Sequence, residues 1–212
     1  MSALPAMLPA VIAAPPVQAP LPAPAAGDIV HDRRSGPRAR THFAIGKLTV
    51  DGCEHVCIVR NQSAQGVGIE MDCPPAAGTR VGIEARSLLA ADATVIWSHD
   101  GMAGLRLDAP LVPPPADLRP RSPRFAVARS ASLIVEDRVR DVPLRDISLG
   151  GVRLGGHVPS GMGTLVVLLL GPYSLPGRIC WHAAGMSGVR FTRPLAASEL
   201  AAILAWVDRP SP

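Results

Sequence analysis

Trp97, Gly101, Met102, Gly104 and Arg106 return as Trp181, Gly185, Met186, Gly188 and Arg190, an offset of 84 residues, with an apolar residue on each side of both arginines. Upstream, Asn61-Gln62-Ser63-Ala64-Gln65-Gly66-Val67 is answered by Asp146-Ile147-Ser148-Leu149-Gly150-Gly151-Val152 at an offset of 85. Further upstream, Pro37-Arg38 is answered by Pro123-Arg124 at an offset of 86. Three matches in one order mean that the 212 residues hold two copies of one unit. Whatever fold one copy takes, the other takes as well.

Each copy reads as β. In the first, 42–50, 53–60, 66–72, 80–86, 92–98 and 103–108 are short segments rich in Val, Ile, Leu and Thr, bounded by Gly, Asp or Pro. In the second, 125–135, 138–145, 151–154, 164–170, 174–182 and 186–192 keep the same rhythm. Short strands at this spacing, with no alternating helices, predict small antiparallel barrels or sandwiches rather than parallel α/β units. One helix is expected at the end of the chain, with Ser198 as its N-cap, Glu199 in its first turn and Pro210 as its stop. Its apolar side, Leu200, Ile203, Leu204 and Val207, should pack on the second unit.

The expected organisation is therefore an Ala/Pro-rich tail at 1–27, a first domain at 28–108, a Pro-rich linker at 109–116 and a second domain with the helix at 117–212. The tail carries no charge, and seven prolines break every candidate helix in it, so it reads as disordered rather than as a signal peptide. The longest apolar run, Leu165 to Leu170, has the length of a strand and not of a membrane span. A soluble, cytoplasmic chain without membrane insertion is expected.

The residue inventory excludes further classes. With one Tyr, three Phe and three Trp, the chain cannot furnish a multi-base stacking platform for single-stranded nucleic acid. Cys53, Cys57, Cys73 and Cys180 are unevenly placed, and reduced, buried or half-buried structural thiols are the expectation. Cys53, His55 and Cys57 share one side of an extended segment, but a fourth ligand and a second paired motif are missing, so no metal is assigned. No histidine has a catalytic companion, and Ser63 and Ser148 lack a placed base, so no enzyme activity is expected. Trp97 and Trp181 are read as core or rim anchors.

Two repeated elements remain that carry chemistry. Each copy opens with arginines before its first strand: Arg33, Arg34, Arg38 and Arg40, then Arg119, Arg121, Arg124 and Arg129. A guanidinium offers a planar fork of donors that fits phosphate and equally the O6/N7 edge of guanine. A short polar acceptor and a hydroxyl two residues apart then follow, Asn61 and Ser63 or Asp146 and Ser148, on one side of an extended segment. Gly66 and Gly151 allow a positive φ or a close backbone approach.

Together these elements resemble the PilZ-domain family of cyclic di-GMP receptors, whose signature is an R-x-x-x-R arm followed by [D/N]-x-S-x-x-G. The first copy matches in full, Arg34 to Arg38 and Asn61 to Gly66, and the resemblance extends over residues 31–108 and 117–193. It implies an all-β chain of two small six-stranded antiparallel split barrels in tandem, plus the one C-terminal helix. It also implies a bound ligand, cyclic di-GMP, with no cofactor and no metal. Arg34 and Arg38, with Arg33 and Arg40 as auxiliary charges, would meet phosphates and guanines. Asn61 and Ser63 would bond a guanine or ribose edge, and Gly66 would keep the floor open.

In the second copy Pro120 stands where Arg34 does in the first. Its arm residues Arg119, Arg121 and Arg124, with Asp146, Ser148 and Gly151, form the weaker of the two expected sites. The expected role is a receptor that relays ligand level to a protein partner, binding mainly through the first domain, without specific nucleic-acid recognition and with a homodimer allowed. The competing expectations are an adaptor or dimerisation protein built from barrels that bind no nucleotide, and a salt-sensitive polyanion binder.

Overall fold

The computed structural model describes residues 40–86, 88–111 and 121–209. The first barrel is built from β1 (Arg40–Val50), β2 (Cys53–Gln62), β3 (Gly66–Glu70), β4 (Arg80–Ala85), β5 (Leu88–His99) and β6 (Met102–Leu107), closed in the order β1-β2-β3-β6-β5-β4. The second follows with β7 (Phe125–Ala126), β8 (Ser130–Val135), β9 (Arg138–Ser148), β10 (Gly151–Gly155), β11 (Leu165–Leu170), β12 (Tyr173–Ala183) and β13 (Met186–Phe191). Strands β8 to β13 close in the same order as the first six, through a β9–β10 pairing, and β7 is added outside on β9. All pairings are antiparallel. The expected pair of six-stranded barrels is what the chain forms.

Tight turns make that topology local. Asp51-Gly52, Asp100-Gly101, Glu136-Asp137 and Ala184-Gly185 all hold positive φ at both residues. That geometry matches the right-handed twist of the strands they join, β1–β2, β5–β6, β8–β9 and β12–β13. The turns fall at equivalent places in the two barrels.

Alternation fills each core. Leu48, Val59, Ile69, Ile83, Val95 and Leu105 are sealed inside the first barrel, and Phe125, Leu133, Leu144, Ile147, Leu168 and Ile179 inside the second. One expected strand, 125–135, is split: β7 ends at Ala126 and β8 starts at Ser130. Val127 still donates to Arg145 O, and Arg129 O accepts from Leu144. The segment therefore stays beside β9 while changing its pairing. The expected linker begins as part of the first barrel, since Leu111 N–H donates to Ala64 O and its side chain packs on that core. The rest of it and the N-terminal tail lie outside the described residues.

The barrels touch through charged groups. Lys47 Nζ donates to Glu54 (3.0 Å) and to the carbonyl of Arg124 (3.1 Å), and Glu54 accepts the Ala126 N–H at 2.7 Å. Burial alone would lower the Lys47 pKa, but the Glu54 and Glu84 carboxylates outweigh it and hold the ammonium above its ordinary value.

Helix α1 (Ala197–Val207) packs Leu200, Ile203, Leu204 and Val207 onto the second core, as its spacing predicts. Its N-cap is Ala196 and not Ser198. Glu199 decides this: its carboxylate accepts the Ala196 N–H at 2.7 Å and both nitrogens of the Arg193 fork at 2.9 and 2.6 Å. Arg193 first, and then the Ala196 N–H, bring the Glu199 pKa down from 4.5 to about 2. A carboxylate depressed on folding stabilises above its unfolded pKa and loses that contribution as pH falls through the folded one. The difference in melting temperature between wild type and Glu199→Gln should accordingly be full at neutral pH and shrink between pH 4.5 and about 2. At the other end Arg129 Nε donates to Val207 O at 2.8 Å, with its guanidinium over the Trp206 ring.

Only Cys57 is a buried thiol; Cys53, Cys73 and Cys180 are exposed, against the expectation of buried or half-buried cysteines. Cys53 lies where β2 emerges from the barrel, and Cys180 points outward from β12. Burial pushes the Cys57 pKa up to about 12, so it holds almost no thiolate at neutral pH. Native protein should therefore alkylate quickly at three cysteines, with Cys57 reacting only on unfolding, as peptide mass mapping would show. Among the described residues, no group of three or more His, Cys, Asp or Glu could hold a metal, and no helix is long and apolar enough to cross a membrane.

Candidate functional site

The repeated polar motif lies on the outer wall of each barrel, and β-bulges aim it there. The β2–β3 register slips between Val59 and Asn61, and the β9–β10 register slips at the equivalent place, beside Arg145. A bulge re-aims the residues that follow it. Val59 and Leu144 before the slip point into the cores, and Asn61 and Asp146 after it face outward. A second pair of slips, between Val95 and Trp97 and between Ile179 and Trp181, does the same for the two tryptophans.

Register then assembles one row across four strands. In the first barrel Asn61 stands opposite Gly68, Gly68 opposite Gly104, and Gly104 opposite Trp97. In the second the row is Asp146, Arg153, Gly188 and Trp181. Each tryptophan lies flat across its glycine, so closely that a Cβ on Gly104 or Gly188 would fall on the indole Nε1. Asn61 lies equally flat over Gly68, whose Cβ would come within 2.5 Å of Oδ1. Two residues without side chains thus leave a low floor between an amide and an indole.

The motif's serine and glycine have local roles. Ser63 and Ser148 each donate through Oγ to the carbonyl of Gly66 or Gly151 at 3.2 Å, closing the turn into β3 or β10. Neither glycine holds a positive φ. Gly66 and Gly151 are needed because a Cβ would strike the carbonyl of Leu105 or Val189 on the next strand. The close approach is to the neighbouring strand, and the left-handed alternative does not apply.

Electrostatics separates the two sites. In the second barrel the Asp146 carboxylate is bracketed: Arg124 reaches one oxygen and Arg153 the other, both at 2.5 Å. The aspartate is nearly buried, while both guanidinium groups stay more than one-third exposed. Paired forks around one carboxylate hold their outer N–H groups toward solvent in a fixed pose. In the first barrel Gly68 replaces Arg153, and Asn61 is exposed with no hydrogen-bond partner among the described residues.

The described strands that follow the two arms meet these motifs. Strand β1 begins with Arg40 opposite Gln62 and Thr41 opposite Asn61, and β7 sets Ala126 opposite Asp146. Of the residues singled out in the sequence, Asn61, Ser63 and Gly66 come together on one wall, and Arg124, Asp146, Ser148 and Gly151 on the other. Arg121 is exposed; Arg33, Arg34, Arg38 and Arg119 lie outside the described residues. Sequence reasoning missed Arg153, whose signal was its position opposite Gly68 in the repeat. It also read Trp97 and Trp181 as anchors only, although Trp97 is 37% exposed and ends the row that starts at Asn61.

A second polar cluster has a structural explanation. The His182 ring bonds Ser187 Oγ and Ser160 O, both at 2.9 Å, while Ser187 also serves Gly156 O and Val158 N–H. Ser187 is fully buried and fully engaged, so it fastens the 156–160 loop and is no nucleophile.

Residues 118–209 match the family model of the PilZ domain. No curated protein sequence matches the chain. Among solved structures, PlzA of Borreliella burgdorferi in complex with c-di-GMP is similar at 9% identity, covering 78% of this chain and 88% of that one, with a TM-score of 0.33. The MrkH–c-di-GMP complex of K. pneumonia shares 12% identity over 78% of this chain and 86% of its own, at a TM-score of 0.34. YcgR of Escherichia coli in complex with c-di-GMP shares 14% identity over 79% and 84%, at 0.32.

Proposed function

We propose, from the match of residues 118–209 to the PilZ domain model, that the chain is a receptor for cyclic di-GMP. It binds the dinucleotide as a signal, does not turn it over, and passes its level to a protein partner in the cytoplasm. The main site is on the first barrel. Arg34 and Arg38, with Arg33 beside them, pair the phosphates and cover the guanines, while Asn61 and Ser63 bond a base or ribose edge. The second barrel offers Arg119, Arg121, Arg124, Asp146, Ser148 and Gly151 as a second site.

The observation that carries this reading is the strand register at the mouth of each arm. Arg38 is two residues ahead of Arg40, which pairs with Gln62, so an intact R-x-x-x-R arm joins the barrel beside Asn61 and Ser63. Asn61 is exposed and uncommitted there, ready for a ligand edge. In the second barrel Arg124, which answers Arg38 in the repeat, reaches Asp146. Among the described residues, no nucleophile with a placed base lies on either wall, which supports binding over catalysis.

Calorimetric titration with cyclic di-GMP at about 150 mM salt, with GTP as control, tests the reading. Binding of cyclic di-GMP and not GTP is expected, weakened about tenfold or more by Arg38→Ala, the size of one lost charge-assisted contact. A folded protein that gives no heat with cyclic di-GMP overturns it in favour of an adaptor.

A further inference from the structure

The two barrels differ in charge far more than their common fold requires. Residues 40–111 carry six Lys or Arg against eight Asp or Glu, whereas residues 121–209 carry eleven Arg against six acidic groups. Part of that excess lies in one row. Ser148 stands opposite Gly151, Gly151 opposite Arg190, and Arg190 opposite Arg178. Val189 and Ile179, the residues beside the two arginines, point into the core, so both arginines point outward on the wall that carries Asp146 and Ser148.

Two guanidinium groups directly opposite each other on adjacent strands, with Cβ atoms about 5 Å apart, repel. Neither Arg178 nor Arg190 has a carboxylate partner among the described residues, and both are exposed. The first barrel avoids the arrangement. Its equivalent row is Gly66, Arg106, Thr94 and Arg80, in which a threonine replaces one arginine and Arg80 is paired with Asp108 at 2.6 Å. The like-charged pair therefore occurs in the copy whose arm has Pro120 in place of an arginine.

We propose that Arg178 and Arg190 form a phosphodiester-binding subsite of the second barrel, with Arg178 supplying from the sheet the charge that its arm lacks. The inference rests on the cyclic di-GMP reading and deepens it. An anion seated between the two forks removes their repulsion and accepts from both, next to Gly151 and one row from the Arg124–Asp146–Arg153 cluster. The second barrel then binds the same ligand class as the first with its phosphate contacts differently distributed.

The test uses the full chain carrying Arg38→Ala, which disables the first arm and leaves the second barrel as reporter. Cyclic di-GMP titration of that variant should still find one site per chain, and adding Arg178→Thr should weaken it about tenfold with a melting temperature no lower than the parent's, since it removes the repulsion. Threonine is tolerated at the equivalent place in the first barrel, Thr94, so the variant is expected to fold. An affinity within about twofold of the Arg38→Ala parent overturns the subsite, as does loss of every site in that parent while wild type binds; the receptor reading survives both. Failure of wild type to bind overturns the receptor reading and the subsite together. A loss of equal size for a random oligonucleotide at the same salt assigns the pair to general polyanion attraction and also overturns the subsite.

Discussion

Phe125→Ala is expected to lower the unfolding free energy by about 3–5 kcal/mol, the usual cost of emptying a large aromatic site in a closed core. Phe125 is fully buried in the second barrel and is half of the two-residue strand β7. That strand has two ladder pairs, Phe125 with Ile147 and Ala126 with Asp146, and the ring is what holds it down. Arg124 is the next residue, and Lys47 and Glu54 grip the same stretch from the first barrel. The substitution should thus free Arg124 from Asp146 as well as destabilise the core. Denaturant unfolding measures the loss of stability, and amide exchange at Ala126 and Val127 measures the release of β7 and Arg124. A loss below about 1 kcal/mol would mean that the core closes over the gap and that β7 is anchored by its backbone alone.

Gly104→Ala is expected to be nearly as damaging, about 2–3 kcal/mol, although it adds a single methyl group. The new Cβ would occupy the position of the Trp97 indole nitrogen, and the strand on either side cannot retreat because Gly104 is paired with both Gly68 and Trp97. The indole must swing off the wall, breaking its stack with His99, now at 4.9 Å between centroids. A red shift in tryptophan emission and a weaker cyclic di-GMP affinity should accompany the loss of stability. Gly188→Ala should displace Trp181 in the same way, because the same atoms collide in the second barrel. If Gly104→Ala leaves emission and affinity unchanged, the floor between Asn61 and Trp97 has no part in recognition.

Much of this was legible before any coordinates. Tight-turn pairs such as Asp51-Gly52 and Asp100-Gly101 and the alternating apolar runs are local signals, so element positions came within a few residues. The N-cap of α1 did not, because Ser198 is the better capping residue in isolation and Glu199 moved the helix start by bonding Arg193 and the Ala196 N–H. The break between β7 and β8 was invisible for a related reason: Val127 to Arg129 look like strand and are strand-like, but their partner on β9 changes. Exposure of Cys53, Cys73 and Cys180 depends on where each strand leaves its barrel, which periodicity does not encode.

Reading along the chain is enough to find two copies of one β unit, each with an arginine arm and a D/N-x-S-x-x-G string, the first arm intact and the second not. These are statements about order and spacing along the chain. What faces what depends on how distant strands pair. The bulges beside Arg60 and Arg145 turn Asn61 and Asp146 outward, and register across β9, β10, β13 and β12 brings Arg153, Arg190 and Arg178 onto the same wall as Asp146. In a sheet a slip of one residue moves a side chain to the opposite face. The company each functional residue keeps is therefore set by long-range pairing, which no local pattern specifies.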